Sequence, residues 1–328
     1  MIKVQNLSKT FKVHTKDPGF INSLKSLFNR KYVTKHALKN INLEIQSGEI
    51  IGLIGSNGAG KTTLTKILSG IIHPTAGHVS VLGFNPWKRD NRYRRQMSLI
   101  MGQKAQLWWD LPALDGFLLL KEIYRIPDQE FQNSIDYLSE RLMIKEQLKV
   151  QVRKLSLGER MKVELMAALI HKPKVVFLDE PTIGLDLLAQ KAVRSFIKDY
   201  RKEYNPIMIL TSHYMEDIEE LCERVVIMKE GSFIYDGSLK DIKDQYATSR
   251  IIKATIKDID KEELKKSLNL TSSKIYFNQD QVTIHSPREK AMESAAILLN
   301  SCNVKDIDIQ ETDIGEIIED IMREGKSL

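Results

Sequence analysis

Two short stretches carry residue types at spacings that suit phosphate chemistry. The first is Gly55-Ser56-Asn57-Gly58-Ala59-Gly60-Lys61-Thr62, entered through the apolar run Ile50-Ile51-Gly52-Leu53-Ile54 and followed by Thr63 and a helix-forming segment to Ser69. Glycines at these positions let the backbone wrap closely, so that successive N–H groups and a helix N-terminus converge on a phosphate chain. Lys61 adds charge at the β- and γ-phosphates, and the Thr62 hydroxyl suits Mg²⁺. The expected phosphate-binding set is Gly55, Ser56, Asn57, Gly58, Ala59, Gly60, Lys61, Thr62 and Thr63. A chance glycine turn beside a lysine would lack the strand before it and the helix after it. The stretch therefore implies a nucleoside triphosphate ligand.

The second stretch is Val175-Val176-Phe177-Leu178-Asp179-Glu180-Pro181. Four apolar residues running into two acids describe a buried parallel strand with carboxylates at its C-terminal end, where ligands collect in open α/β sheets. Asp179 is placed to hold a Mg²⁺ shell, and Glu180 to orient and deprotonate an attacking water. Acids at a strand exit mean little alone. Beside a phosphate loop they describe a hydrolase.

Composition fits that reading and removes others. The chain has 328 residues, 42% hydrophobic and 28% charged, enough for one large soluble domain and a smaller one. Its two cysteines, Cys222 and Cys302, are no disulfide framework and suit a reducing compartment. The N-terminus lacks a signal pattern, and Asp110, Pro112, Asp115 and Gly116 interrupt the most apolar segment, Leu107 to Leu120. The expectation is a cytoplasmic protein that meets the inner face of the cell membrane only through a partner. A net charge of +6 does not choose between nucleic acid and lipid.

Around the two stretches, alternation at period two predicts strands at residues 2–7 and 37–46. Residues 14–36 read as a basic amphipathic insertion carrying Lys16, Lys25, Arg30, Lys31 and Lys35, either a partner or membrane contact or a solvated face. Met97 to Met101 reads as a buried strand, and residues 113–149 are helical with a break at Ile126-Pro127-Asp128. Phe11 is either a hairpin core residue or a surface on which a purine stacks.

Leu155-Ser156-Leu157-Gly158-Glu159-Arg160, upstream of Asp179-Glu180, resembles the signature of ATP-binding cassette (ABC) ATPases. The rest of that family's pattern follows in order over about residues 1–240. Gln103 resembles the glutamine that contacts Mg²⁺ and the attacking water. Ile183-Gly184-Leu185-Asp186 resembles the loop whose aspartate crosses a dimer interface. Thr211-Ser212-His213 resembles the switch histidine at the γ-phosphate, and Phe11 falls where the family stacks adenine. The resemblance implies ATP and Mg²⁺, with Glu180, His213 and Gln103 as catalytic groups and Thr62, Gln103 and Asp179 at the metal. It also implies that Ser156, Gly158, Glu159 and Asp186 reach a nucleotide on an opposing subunit. The usual signature is Leu-Ser-Gly-Gly-Gln, so Leu157 and Glu159 depart from it.

The implied unit is a pair of cassettes, a homodimer or one with a paralogous cassette. ATP closes it and hydrolysis reopens it, driving a multispanning permease. Leu107-Trp108-Trp109 lies where the family meets its permease, and an interface reading of the two tryptophans stands ahead of a buried position in the helical subdomain. With the insertion after Phe11, the chain is most similar to ABC-2-type, exporter-like systems. The alternative is an ABC ATPase acting on the ribosome or nucleic acid. Such proteins carry two cassettes in one chain, so nucleic acid is not an expected partner.

The expected fold is α/β: a P-loop NTPase ABC cassette over residues 1–245 with a mostly parallel core sheet, an antiparallel β subdomain and a helical subdomain over about 105–165. Residues 246–328 read as strand, helix, hairpin, helix, strand and a last helix capped by Thr312. That order is ferredoxin-like, and it resembles an accessory domain of the same transporter class.

Overall fold

The computed structural model describes residues 1–14, 32–101, 105–246, 249–257, 264, 274–278, 280–301, 303–311 and 313–324. The chain divides into two compact units, Met1–Asp236 and Gly237–Lys326.

Two sheets organise the first unit. Strands β1 (Ile2–His14), β2 (Tyr32–Ile45) and β4 (Ala76–Val81) form an antiparallel sheet in the order β2-β1-β4. Between β2 and β4 runs β3 (Ile50–Gly55), which belongs to a six-stranded sheet with β5 (Met97–Met101), β6 (Val175–Asp179), β7 (Ile207–Thr211), β8 (Arg224–Lys229) and β9 (Ser232–Ser238). Its order is β5-β6-β7-β3-β8-β9, and every pairing from β5 through β8 is parallel. Ile50–Ile54, Val175–Leu178, Ile207–Leu210 and Val225–Met228 are buried along their whole lengths. Only a sheet covered on both faces accommodates such runs.

Helix α1 (Lys61–Leu68) follows the phosphate loop and packs into a core shared by both sheets. Leu64, Ile67 and Leu68 sit there among Ile2, Val4 and Ile45 from one sheet and Ile51, Leu53 and Val226 from the other. Each such side chain contributes about 2 kcal/mol, so the loop stands on an anchored helix. The helix stops at Gly70, where φ is +79° and an added Cβ would stand 2.5 Å from Pro86 O, so no side chain fits. Helices α2 (Ala113–Tyr124), α3 (Asp128–Arg141) and α4 (Leu157–Leu169) make up the helical subdomain, which the sequence placed over about 105–165. Helices α5 (Leu187–Tyr204) and α6 (Met215–Leu221) follow β6 and β7.

The expected insertion is shorter than its sequence bounds. Phe11, Lys12, Val13 and His14 pair with Lys35, Thr34, Val33 and Tyr32, so both ends of the 14–36 segment are strand. The remaining basic residues, Lys16, Lys25, Arg30 and Lys31, lie outside the described residues, as does Gln103.

The second unit begins with α7 (Leu239–Tyr246), which the sequence had assigned to the first domain. Strands β10 (Ser249–Lys257), β11 (Lys274–Asn278), β12 (Gln281–Pro287) and β13 (Asn303–Glu311) form an antiparallel sheet in the order β11-β12-β10-β13. Helix α8 (Ala291–Ser301) sets Ala295 and Leu298 against Ile252, Ala254, Val282 and Ile284. Helix α9 (Ile314–Glu324) buries Ile314, Ile317, Ile318 and Ile321, a one-sided stripe, and packs against α7, which buries Leu239 and Ile242. Its N-terminus is capped by Asp313, which accepts from the Gly315 amide at 2.7 Å. The Thr312 cap expected from sequence lies outside the described residues.

Candidate functional site

The loop between β3 and α1 takes its shape from Gly55 and Gly60, which have no room for a side chain. Gly60 has φ +115°, and a Cβ there would stand 2.7 Å from Ala37 O. At Gly55 it would meet Met228 O at 2.4 Å. The turn between β8 and β9 holds the loop from outside, Gly231 N donating to Ala59 O at 2.9 Å. Lys61 is buried, with Nζ donating to Gly55 O (2.5 Å) and Ser56 O (3.3 Å). Burial pulls its pKa down, and the charges of Glu180 and Asp179 push it back up.

A cavity of about 230 Å³ opens over this loop. It is lined by Asn57, Gly58, Gly60, Lys61, Thr62 and Thr63 of the loop and helix, by Phe11, Val13, Lys35 and Ala37 of the β1–β2 pair, and by Glu180. Gly55, Ser56 and Ala59 shape the loop without lining the cavity. Phe11 is thus partly exposed at the cavity rather than locked in a hairpin core, with Lys9 Nζ 4.8 Å from its ring. Lys35, read from sequence only as part of the basic insertion, lies opposite Phe11 in strand register and brings a cation to the same cavity. Its spacing of two from Ala37 puts both on one strand face, but only the strand register sets that face beside Phe11.

The acids stand where β6 ends. The Thr211 hydroxyl, at the end of the neighbouring β7, donates to Asp179 Oδ1 at 2.6 Å. The Glu180 amide donates to Thr211 O at 3.0 Å, which ties the exits of the two strands together. Glu180 has φ +58°, a left-handed conformation that a non-glycine residue adopts only where its surroundings impose it. Its Oε1 lies 2.8 Å from His213 Nε2. The structure therefore brings Phe11, the loop, Asp179, Glu180 and His213 into one region.

Ser156, Gly158, Glu159 and Asp186 are absent from the cavity lining. Ser156 is the N-cap of α4, its Oγ accepting from Glu159 N at 3.2 Å. The Glu159 carboxylate returns to Ser156 N at 2.9 Å and accepts from Gln147 Nε2 at 3.1 Å. This is a capping box, and the Ser156 amide holds the Glu159 carboxyl below the usual range. Asp186 caps α5 through Ala189 N at 2.9 Å. Leu157 is exposed, packed beside Gly184.

Trp108 and Trp109 are 48% and 50% exposed, so neither is a core residue of the helical subdomain. Arg160 of α4 lies over the Trp109 ring at 5.3 Å. Glu164, which the sequence did not single out, is buried on α4 and accepts from the amides of Gln106 and Leu107 at 2.9 and 3.3 Å. Burial raises its pKa against the pull of those two donors.

Residues 38–183 match the family model described as ABC transporter. The ABC transporter ATP-binding protein NatA of Bacillus subtilis (strain 168) is 31% identical over 214 residues, 65% of this chain and 86% of that one. The bacitracin transport ATP-binding protein BcrA of Bacillus licheniformis is 32% identical over 65% of this chain and 69% of its own. The solved ATP-binding cassette MJ0796, described as a dimeric post-hydrolysis state bound to ADP and Pi, matches with a TM-score of 0.60 at 23% identity, over 73% of this chain and 99% of that one. With the glycine loop, the paired acids and His213 in one region, the chain belongs to the ABC transporter ATP-binding proteins and is an ATP hydrolase of that family.

Proposed function

We propose that this ATPase is one of two cassettes powering a separate membrane permease, and that the permease is an exporter. The observation that carries the assignment of roles is the 2.8 Å contact between Glu180 and His213 beside the phosphate loop. Glu180 takes a proton from water as it attacks the γ-phosphorus; the bond to the β-phosphate oxygen breaks, leaving ADP and phosphate. His213 holds the Glu180 carboxylate through Nε2, and Lys61 and the loop amides offset charge on the phosphates. Thr62 and Asp179 supply hard oxygen ligands suited to Mg²⁺. Asp179 spends only Oδ1 on Thr211 among the described residues, which leaves Oδ2 for a cation. When bound, the ion would offset charge between the phosphates.

Phe11 stacks the base, and Ser156, Gly158 and Asp186 serve the nucleotide of a second copy, in keeping with their absence from this copy's own cavity. The dimeric state of the MJ0796 cassette supports the pairing. Trp108, Trp109 and Leu111, with Leu118, Leu119 and Ile123 of α2, are exposed apolar residues suited to a permease contact. The transport roles in the names of NatA and BcrA favour that partner. No described helix is long and apolar enough to cross a membrane, so the permease supplies the attachment at the inner face. The sheet order of the second unit supports a ferredoxin-like accessory domain.

The test is Glu180→Gln, with ATP affinity and turnover measured side by side. Nucleotide should bind normally while turnover falls at least about 100-fold. Near-normal turnover would remove Glu180 from the role. Lys61→Ala should lose nucleotide binding instead. Recovery of a multispanning protein with the tagged chain from detergent-solubilised membranes, lost in Trp108→Ala/Trp109→Ala, tests the permease contact. Ribosome or nucleic acid in place of that protein would refute it.

A further inference from the structure

Behind Glu180 and His213 lies a buried charge that takes no part in phosphate chemistry. Asp217, in the first turn of α6, is wholly buried. Its Oδ2 accepts from the Thr182 hydroxyl and from Ser212 Oγ, the latter at 2.6 Å. Its Oδ1 accepts from Arg194 Nη1 of α5 at 2.9 Å. Thr182 follows Glu180 by two residues, and Ser212 immediately precedes His213.

We propose that Asp217 is a positioning residue for ATP hydrolysis: one carboxylate oxygen ties the loop leaving Glu180 to the loop carrying His213, and so sets the contact between those two side chains. The inference rests on the reading of Glu180 as the base.

Three features favour positioning over plain stability. A buried ion pair is a weak source of stability, because desolvation offsets most of its attraction. Here the pair bridges α5 and α6, and the other oxygen of the same carboxylate reaches the two loops. Next, Arg194 is fixed in place by two carboxylates besides Asp217. Its Nη2 contacts Glu216 at 3.2 Å, and its Nε lies 3.0 Å from Glu220, a charge contact without hydrogen-bond alignment. Both hydroxyls donate to the same Asp217 oxygen, which gives each loop a single orientation. Finally, Ser212 Oγ also accepts from Tyr214 N at 3.0 Å, which closes the turn that presents His213. The same tether reaches the start of the Ile183–Asp186 loop through Thr182. A shift of either loop would therefore be felt by the other.

The experiment compares Thr182→Val with Thr182→Ser. Valine keeps the volume and the Asp217–Arg194 pair but removes the donor; serine keeps the donor. Thr182→Val should lower kcat per folded molecule about tenfold, within the range set by small misplacements of catalytic groups, with ATP affinity little changed and a lower Tm from the donor lost to a buried carboxylate. Thr182→Ser should stay within about twofold of wild type, because it preserves the hydroxyl. Ser212→Ala, which cuts the tether from the other loop, should reproduce the valine result.

A Thr182→Val protein at wild-type kcat overturns the proposal. So does one matched in slowness by Thr182→Ser, since that pattern follows side-chain shape and not the hydroxyl. A fall in Tm with unchanged kcat per folded molecule would assign the cluster to stability alone. Glu180→Gln run in parallel separates the two failures. An inactive Glu180→Gln beside a fast Thr182→Val sinks only the tether, whereas an active Glu180→Gln removes the reading beneath it.

Discussion

In the segment Leu155–Arg160, the charge that distinguishes this chain from the usual signature is turned inward. The Glu159 carboxylate accepts from the Ser156 amide and from Gln147, so it satisfies a helix end and not a phosphate. Glutamine at the same place can make the same reciprocal bond, which explains why the two residues interchange. Glu159→Gln should therefore leave turnover within about twofold, while Glu159→Ala should cost about 1 kcal/mol of stability, as capping losses do. Thermal melts and steady-state turnover on both variants check this. Turnover that rises sharply in Glu159→Gln would mean the charge does reach the nucleotide. Glu159 was visible in the sequence as a departure, but its partner was not, because Gln147 lies in an unremarkable stretch. Lys35 and Asp217 escaped for the same reason: their roles come from strand register and loop convergence, which spacing along the chain does not encode.

At the scale of elements, the strands were legible because each fully buried parallel strand is one apolar run and each half-buried one alternates. The bounds of the insertion were misread because the ends of β1 and β2 are exposed strand with Val13 and Val33 outside the core, which gives no burial pattern in sequence. The helical subdomain contains one feature that the sequence hid altogether. His171, just after α4, stacks on Tyr124 at the end of α2 with ring centroids 3.8 Å apart, and its Nε2 meets Met97 O at 3.2 Å. Burial pushes the imidazole down to about 4 from its ordinary 6.5. The bond to Met97 O pulls the other way without overcoming burial. The unfolded chain takes up a proton near pH 6.5 and the folded chain only near 4. Stability from this group is therefore complete above 6.5, falls as the pH drops through that window, and changes no further below 4. The loss amounts to about 3 kcal/mol. Denaturant melts from pH 7 to 4 should show it in the wild type and much less in His171→Gln, which keeps a donor but does not titrate. Parallel pH curves for the two proteins would place the titration elsewhere.

For the whole molecule, the order of the motifs revealed a cassette, but one chain cannot display a site completed by another. Ser156 and Asp186 cap their own helices and stand apart from the cavity that Lys61 and Glu180 line. If a second copy supplies the signature, each nucleotide site draws its loop from one protomer and its Ser156 from the other. Two defects in different chains then become separable. Lys61→Ala damages only the site holding its own nucleotide. Ser156→Asp keeps a competent helix cap but sets a negative charge against the partner's γ-phosphate. Each variant alone has both sites damaged. In a mixed pair both defects fall in the same site, and the other keeps an intact loop and an intact signature. Mixing the two inactive proteins should therefore restore turnover, up to about a quarter of wild type when half of the dimers are mixed and each has one sound site. A mixture as inactive as its components would mean that each chain completes its own site, and the paired-cassette reading would go with it.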